Sequence, residues 1–266
     1  MRMMSKVEKR RIEILHVLET EGSAGVSEMA ALFKVTPETI RNDFDYLAEV
    51  YELERIHGGL KKESGRQIRE MYHYHQRQGV QQQVKRELCF QAMKHIEAGD
   101  CVYVDTGSTL TWLLPFMNRK KGVTMVTPSI AFLSKYVMEG YEAVFKNHQH
   151  RLLFLGGEVN TEILTTQGSL MTNSLTDFHF SKVLFSVDAV DKKTGCMNVD
   201  LEAFSVTKSA LNHGVQIILI ADSSKFGQRA AYRVAGWHDV NTIITDQQQD
   251  EEWEAICHQY RIGWNK

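Results

Sequence analysis

Cysteine is scarce in this chain and widely spread: Cys89, Cys101, Cys196 and Cys257 are the four thiols in 266 residues, and no two form a C-x-x-C pair. That spacing excludes a disulfide framework and a zinc ribbon, and fits reduced cytoplasmic thiols. Long apolar runs are missing too, with nothing approaching the roughly 18 residues of a membrane span. The opening MRMMSKVEKRR is basic but lacks the apolar stretch and small-residue cleavage site of an export signal. A cytoplasmic protein with no membrane partner is expected. Charge of one sign is not in excess either: 31 Lys and Arg face 33 Asp and Glu, a net −2, so the overall balance does not mark a nucleic-acid binder. His73/His75 and His148/His150 lack a Cys or carboxylate partner set, so no metal and no cofactor are expected.

What is present reads as two domains. Hydrophobic content of 43% and charge of 24% are ordinary for globular chains, and the length suits one small and one medium core. Residues 6–20 place Val7, Ile14, Leu15 and Leu18 at helical spacing, and Gly22 to Gly25 ends that helix. Ser27 is the expected N-cap of a short helix carrying Met29, Ala30 and Phe33, and Lys34-Val35 makes a turn. Thr36 caps a third helix whose first position is Pro37, where a missing N–H costs nothing. Ile40, Phe44 and Leu47 form its core face. Two short helices joined by a tight turn form a helix-turn-helix, although helix spacing alone fits any three-helix bundle equally. Residues 53–62, LERIHGGLKK, favour the former, because they read as a two-stranded wing around Gly-Gly.

Residues 1–62 hold ten Lys and Arg against eleven Asp and Glu, so DNA contact must rest on charge placement, with Lys34, Arg41, Arg55, Lys61 and Lys62 gathered on one face. Residues 63–80 are rich in Gln, His and Arg without apolar period and read as a linker. From residue 81 to 266 helical segments (83–97, 129–138, 201–212) alternate with β-branched runs at 101–105, 123–127, 151–155, 182–187, 215–221 and 241–245. That alternation predicts a mainly parallel sheet covered on both faces.

Ligands of such sheets bind beyond the strands' carboxyl ends. Asp105-Thr106-Gly107-Ser108-Thr109 follows the first strand, Thr127-Pro128-Ser129 the second, Gly156-Gly157-Glu158 the third, and Asp222-Ser223-Ser224-Lys225 the fifth. Gly107, Ser108, Thr109 and helix N–H groups suit an anion, Lys225 a phosphate, and Asp105, Asp188 and Asp191 sugar hydroxyls. Each of these residues is equally readable as a cap or a surface ion pair.

Thr36-x-x-Thr39-Ile40-Arg41-Asn42-Asp43-Phe44 followed by Arg55-Ile56-His57-Gly58-Gly59 resembles the DeoR family of sugar-metabolism regulators. The second domain is similar to that family's effector domain through Asp105-x-Gly107-Ser108-Thr109, Leu155-Gly156-Gly157, Gly168, Asp188-x-x-Asp191, Gly195, Glu202 and Asp222-Ser223-Ser224-Lys225-Phe226. The resemblance implies a repressor of a carbohydrate operon, a phosphorylated-sugar effector, a homo-oligomer, and an α/β effector domain like ribose-5-phosphate isomerase behind a winged helix-turn-helix. Effector-site candidates are then Asp105, Gly107, Ser108, Thr109, Thr127, Ser129, Gly156, Gly157, Asp188, Asp191, Glu202 and Lys225. On the DNA side, Arg41 suits guanine and Asn42 adenine, Thr36 and Thr39 phosphate, and the wing with Arg55, His57 and Lys61 the backbone or minor groove. Asp43 is expected to pair internally with Arg55. Asn42, Pro128, Ser186 and Ala189 depart from residues common in the family. An isomerase is the alternative. Its lysine and glycine-rich loop are replaced here by Thr194-Gly195-Cys196-Met197-Asn198, so no catalytic set and no enzyme is expected.

Overall fold

The first elements are set by two glycines and a proline. A computed structural model of the chain describes residues 6–51, 53–61 and 80–266; the linker expected at 63–80, with His73 and His75, lies almost wholly outside them. Helix α1 (Lys6–Glu21) stops at Gly22, whose φ of +78° leaves helical space, and Ser23–Gly25 follows as strand β1. Helix α2 (Val26–Phe33) ends on Lys34 in the left-handed conformation, and α3 (Pro37–Tyr51) ends before the strands β2 (Glu54–Ile56) and β3 (Gly59–Lys61). Strand β3 is central, pairing antiparallel with β1 and β2. Ile14, Leu18, Met29, Ile40, Phe44, Leu47 and Leu60 close one core between the three helices and this ribbon. Gly59 is needed where strands meet, because a Cβ there would lie 2.7 Å from the Ala24 carbonyl oxygen.

Two expectations are corrected. Ser27 does not cap α2: the helix begins a residue earlier, Gly25 holds the cap position without a side-chain bond, and the Val26 N–H donates to the Gly58 carbonyl at 2.8 Å. The wing supplies from afar the acceptor that a local serine was expected to provide. Gly22 to Gly25 is not merely a helix terminator, since its last three residues are β1.

Chain contacts divide the molecule into Met1–Gln76 and Arg77–Lys266. The second unit opens with α4 (Gln82–Ala92) and a 3-10 turn at Met93–His95. Its seven-stranded sheet comprises β4 (Cys101–Val104), β5 (Thr124–Thr127), β6 (Arg151–Phe154), β9 (Phe180–Phe185), β12 (Gly214–Ile220), β14 (Thr242–Ile244) and β15 (Gly263–Asn265). All neighbours run parallel, in the order β15-β14-β12-β9-β4-β5-β6. Alternate residues feed two cores: Tyr103, Val183, Phe185, Leu219 and Ile243 on one face, Val102, Val104, Leu184, Ile218 and Ile244 on the other. The 3-10 helix Leu110–Arg119, α5 (Ile130–Met138) and α6 (Glu142–Asn147) connect the strands on one side of the chain's path; α7 (Ser169–Leu175), α8 (Leu201–Leu211) and α9 (Glu251–Tyr260) follow. Smaller antiparallel pieces, β7 (Glu158–Asn160) with β8 (Thr165–Gln167), and β10 (Ala189–Asp191), β11 (Gly195–Asn198) and β13 (Tyr232–Ala235), stand apart from the main sheet. No helix among the described residues is long and apolar enough to cross a membrane.

Candidate functional site

In the first unit, the start of α3 carries the exposed polar surface. The Thr36 hydroxyl accepts from the Thr39 N–H at 3.3 Å and lies 2.9 Å from the Thr39 hydroxyl, which gives α3 the N-cap expected of it. Arg41 and Asn42 are exposed on the next turn while Ile40 and Phe44 are fully buried, so the helix shows two distinct faces. Arg41 reaches Glu38 at 3.0 Å, a pair open to solvent and easily exchanged for another acceptor.

Asp43 does not pair with Arg55. It is buried and accepts from Arg10 Nε and, at 2.7 Å, from Arg11 Nε, both on α1. Arg55 instead pairs with Asp45 at 2.9 Å, donates to the Gly59 carbonyl at 2.7 Å and lies over the Phe44 ring. Arg55 thus ties the wing to α3, whereas His57 and Lys61 are exposed on the wing itself. The helix-turn-helix is clamped by Arg10 and Arg11, which reach the buried Asp43, and by Arg55 at the surface, while Arg41 and Lys61 are exposed.

In the second unit, β4 is the first strand of the sheet; the chain then builds β5 and β6 on one side before returning to place β9 on the other. The strand order therefore reverses between β4 and β9, where a parallel sheet opens a crevice at its carboxyl edge. The loop leaving β4 lines it. Asp105, at 1% exposure, accepts from the Thr207 hydroxyl of α8 at 2.7 Å and more distantly from the Tyr103 hydroxyl. Burial pushes its carboxyl up from 3.8 to about 7 against the lowering effect of those bonds. Gly107 turns at φ +109°, which an L side chain rarely adopts, and brings Ser108 and Thr109 to the start of the 3-10 helix.

Beneath that turn lies a cation that sequence reasoning passed over. Lys85 on α4 is 4% exposed and donates to Ser108 Oγ at 3.1 Å, and one turn later Cys89 donates to the Thr109 carbonyl at 3.2 Å. The available signal was positional: Lys85 precedes Leu88 by three and Cys89 by four, so a lysine occupies the helix's apolar stripe. Thr207, likewise, falls on the buried face of α8 beside Val206 and Ala210.

The other candidates divide. Thr127 Oγ1 accepts from Ser129 N at 3.0 Å and Ser129 Oγ from Phe132 N at 3.1 Å, so both hydroxyls shape the start of α5. Gly156 is open, whereas a Cβ on Gly157 would meet the Gln167 carbonyl at 2.6 Å. Asp188 lies three residues beyond the end of β9 and accepts from Val199 N at 3.0 Å. The Asp191 carboxylate is committed to its own hairpin, accepting from Thr194 N at 2.7 Å and Lys193 N at 3.0 Å. Glu202 lies in the first turn of α8, the helix tied to Asp105, and Lys225 ends the 3-10 turn that Asp222 caps. His148 Nδ1 lies 2.9 Å from the Val144 carbonyl, and both nitrogens of His150 bond to backbone.

Comparison with known proteins gives these two sites a shared context. The family model described as the DeoR C terminal sensor domain matches residues 80–247, and that described as the DeoR-like helix-turn-helix domain matches residues 10–65. The chain belongs to the DeoR family. Among its relatives are the uncharacterized HTH-type transcriptional regulator YulB of Bacillus subtilis, 28% identical over 90% of this chain and 89% of that protein, and the lactose phosphotransferase system repressor of Streptococcus mutans, 27% identical over 94% and 96%. A solved ribose 5 phosphate isomerase A from Neisseria gonorrhoeae aligns at 15% identity and a TM-score of 0.37 over 56% of each chain; the assignment rests on the family matches. This DeoR-family chain is a transcriptional regulator with a DNA-binding helix-turn-helix and a small-molecule sensor domain.

Proposed function

We propose that the protein represses a carbohydrate-utilisation operon from the cytoplasm, as a homo-oligomer, and that a phosphorylated sugar bound in the β4/β9 crevice controls it. The observation that carries this reading is Lys85, a buried ammonium held on Ser108 at the Gly107 turn. A buried cation beside a hydroxyl and the N–H groups of a helix start matches a phosphate dianion in charge and donor geometry. Asp188, Glu202 and Lys225 sit on neighbouring segments suited to sugar hydroxyls and the remaining charge. A Cβ on Gly156, after the third strand, would meet nothing within 4 Å. The repressor of lactose uptake among the relatives supports the carbohydrate assignment.

Binding without catalysis is favoured over an isomerase by the segment Thr194-Gly195-Cys196-Met197-Asn198. Its last four residues are buried as β11 between β10 and β13, a position that suits a fixed strand rather than a loop carrying a mobile electrophile. On the DNA, α3 lies in the major groove with Arg41 and Asn42 at base edges, Thr36 and Thr39 at phosphates, and His57 and Lys61 of the wing on the backbone.

Selection from a random duplex pool, with and without a mixture of sugar phosphates, tests the reading. Enrichment of a repeated half-site, altered by the sugars in the wild type and unaltered in Lys85→Met, is the expected result. Enrichment that no phosphorylated sugar changes overturns the sensor assignment; no enrichment at all overturns the regulator's DNA role.

A further inference from the structure

The DNA-binding unit is poor in available cations. Residues 1–62 hold ten basic against eleven acidic residues, and Arg10, Arg11 and Arg55 are engaged by Asp43 and Asp45. Affinity for a duplex comes largely from phosphate neutralisation, so the charge that α3 and the wing lack must come from another surface of the same protein. The sensor domain has one. On the outer side of α4 and the 3-10 helix Leu110–Arg119, Phe90 and Phe116 pack with centroids 5.4 Å apart. The Arg119 guanidinium lies 4.7 Å from the Phe90 centroid and 5.9 Å from that of Phe116, with Arg86 5.9 Å over Phe116 and Lys94 5.8 Å over Phe90. Lys120 and Lys121 continue the run, and Arg86, Lys94, Arg119 and Lys121 are exposed.

We infer that this aromatic-backed basic patch is a second DNA-contacting surface, which binds the phosphate backbone of duplex flanking the operator. The inference rests on the regulator reading above. Three like charges drawn over two rings repel one another unless an anion joins them, and among the described residues no salt bridge joins Arg86, Lys94 or Arg119 to a carboxylate. The nearest acid of α4, Glu87, accepts from Gln91, and Asp100 is held by Lys182. A guanidinium resting on a ring keeps its N–H edge turned outward, a fork matched to phosphate oxygens. The patch lies on the first described helix after the DNA-binding unit and on the 3-10 helix that follows, and 18 residues of chain, 62–79, at full extension would span at most about 60 Å, so flanking duplex is within covalent reach.

The test compares two duplexes carrying the half-sites selected above: one trimmed to the sites, one extended by about 20 base pairs of random sequence on each side. Full-length protein should bind the longer duplex about tenfold more tightly at low salt. The variant Lys94→Gln/Arg119→Gln/Lys121→Gln should lose that gain, keep its affinity for the trimmed duplex, and show a salt slope smaller by about 2.7, near 0.9 for each phosphate contact removed. Lys94→Gln/Lys121→Gln, which spares the arginine on the rings, should lose part of the gain and guards against a folding defect. A flank-dependent gain undiminished in both variants overturns the inference and leaves an acidic protein partner for the patch. Equal loss on both duplexes overturns it as well. Failure to select any half-site, in contrast, counts against the regulator reading and not against the patch.

Discussion

Thr207 donates its hydroxyl to Asp105 Oδ2 at 2.7 Å, joining α8 to the loop that leaves β4. The contact is buried, and burial raises the Asp105 carboxyl to about 7. A carboxyl raised on folding takes up a proton as the chain folds, so its contribution to stability is complete below about 3.8 and is lost as pH rises towards 7. A rise from 3.8 to about 7 corresponds to on the order of 4 kcal/mol. The isosteric Asp105→Asn keeps an acceptor for Thr207 and removes the titration. Urea denaturation of both proteins between pH 4 and 8 should show the wild type losing ground to the variant as pH rises from 4 to about 7 and running parallel to it above that. Parallel curves throughout would mean that Asp105 is not protonated in the folded protein near neutrality.

Arg41 and Lys61 separate two kinds of DNA contact. Arg41 shares the outward turn of α3 with Asn42, and its pair with Glu38 is exposed, so the guanidinium is readily released to a guanine edge. Arg41→Ala should cost about 1–3 kcal/mol on selected half-sites and little on random duplex. Lys61→Ala should weaken both alike and lower the salt slope by about one. Binding measured on both duplexes at two salt concentrations decides; equal losses for Arg41→Ala would remove it from base reading.

Asp43 is the joint between α1 and α3. Removing it leaves two arginines, Arg10 and Arg11, facing a buried site without their carboxylate. Breaking a buried pair from one side costs about 3–5 kcal/mol. Calorimetry of Asp43→Ala should therefore show the transition of the DNA-binding unit lowered and that of the sensor unit unmoved. If both transitions stay in place, the clamp contributes nothing to stability.

The parts of this molecule that a reader of sequence can find are those decided locally. Thr36-Pro37 announces the start of α3 because cap and first turn lie side by side, and the β-branched runs of β4, β5, β9 and β12 announce strands buried on both faces. What escaped depends on distant partners. Val26 is capped by Gly58 from the wing, Asp43 chose Arg10 and Arg11 over the nearer-seeming Arg55, and β1 exists only because β3 pairs with it. Strands of three residues such as Glu158–Asn160 and Ala189–Asp191 carry too few alternations to register as a period. At the crevice the Gly107 turn is legible from its residues, but Lys85 and Thr207 reach it from helices 22 and 100 positions away from Gly107, and only the fold brings them there.

His150 gives the opposite pH response to Asp105. Its Nδ1 accepts from the Val123 N–H at 3.0 Å, which places the proton on Nε2, donated to the Met117 carbonyl at 2.9 Å. The ring is buried, Phe145 packs edge-on against it and the His148 ring stacks over it. Burial lowers its pKa below the usual 6.5, because a second ring proton would lose water and confront the Val123 N–H. A base lowered on folding contributes stability that is complete above 6.5 and is lost as pH falls through the folded value. His150→Ala leaves a buried N–H and a buried carbonyl unpaired and should cost about 2–4 kcal/mol at pH 7.5. Because the penalty of charging the histidine belongs to the wild type alone, the gap between the two proteins should narrow as pH drops from 7 to 5. Denaturation curves taken in the Asp105→Asn background isolate this term from the carboxyl; a gap that stays constant there would show that His150 keeps its proton count unchanged on unfolding, and the assigned tautomer would then fail to explain the fold's acid response.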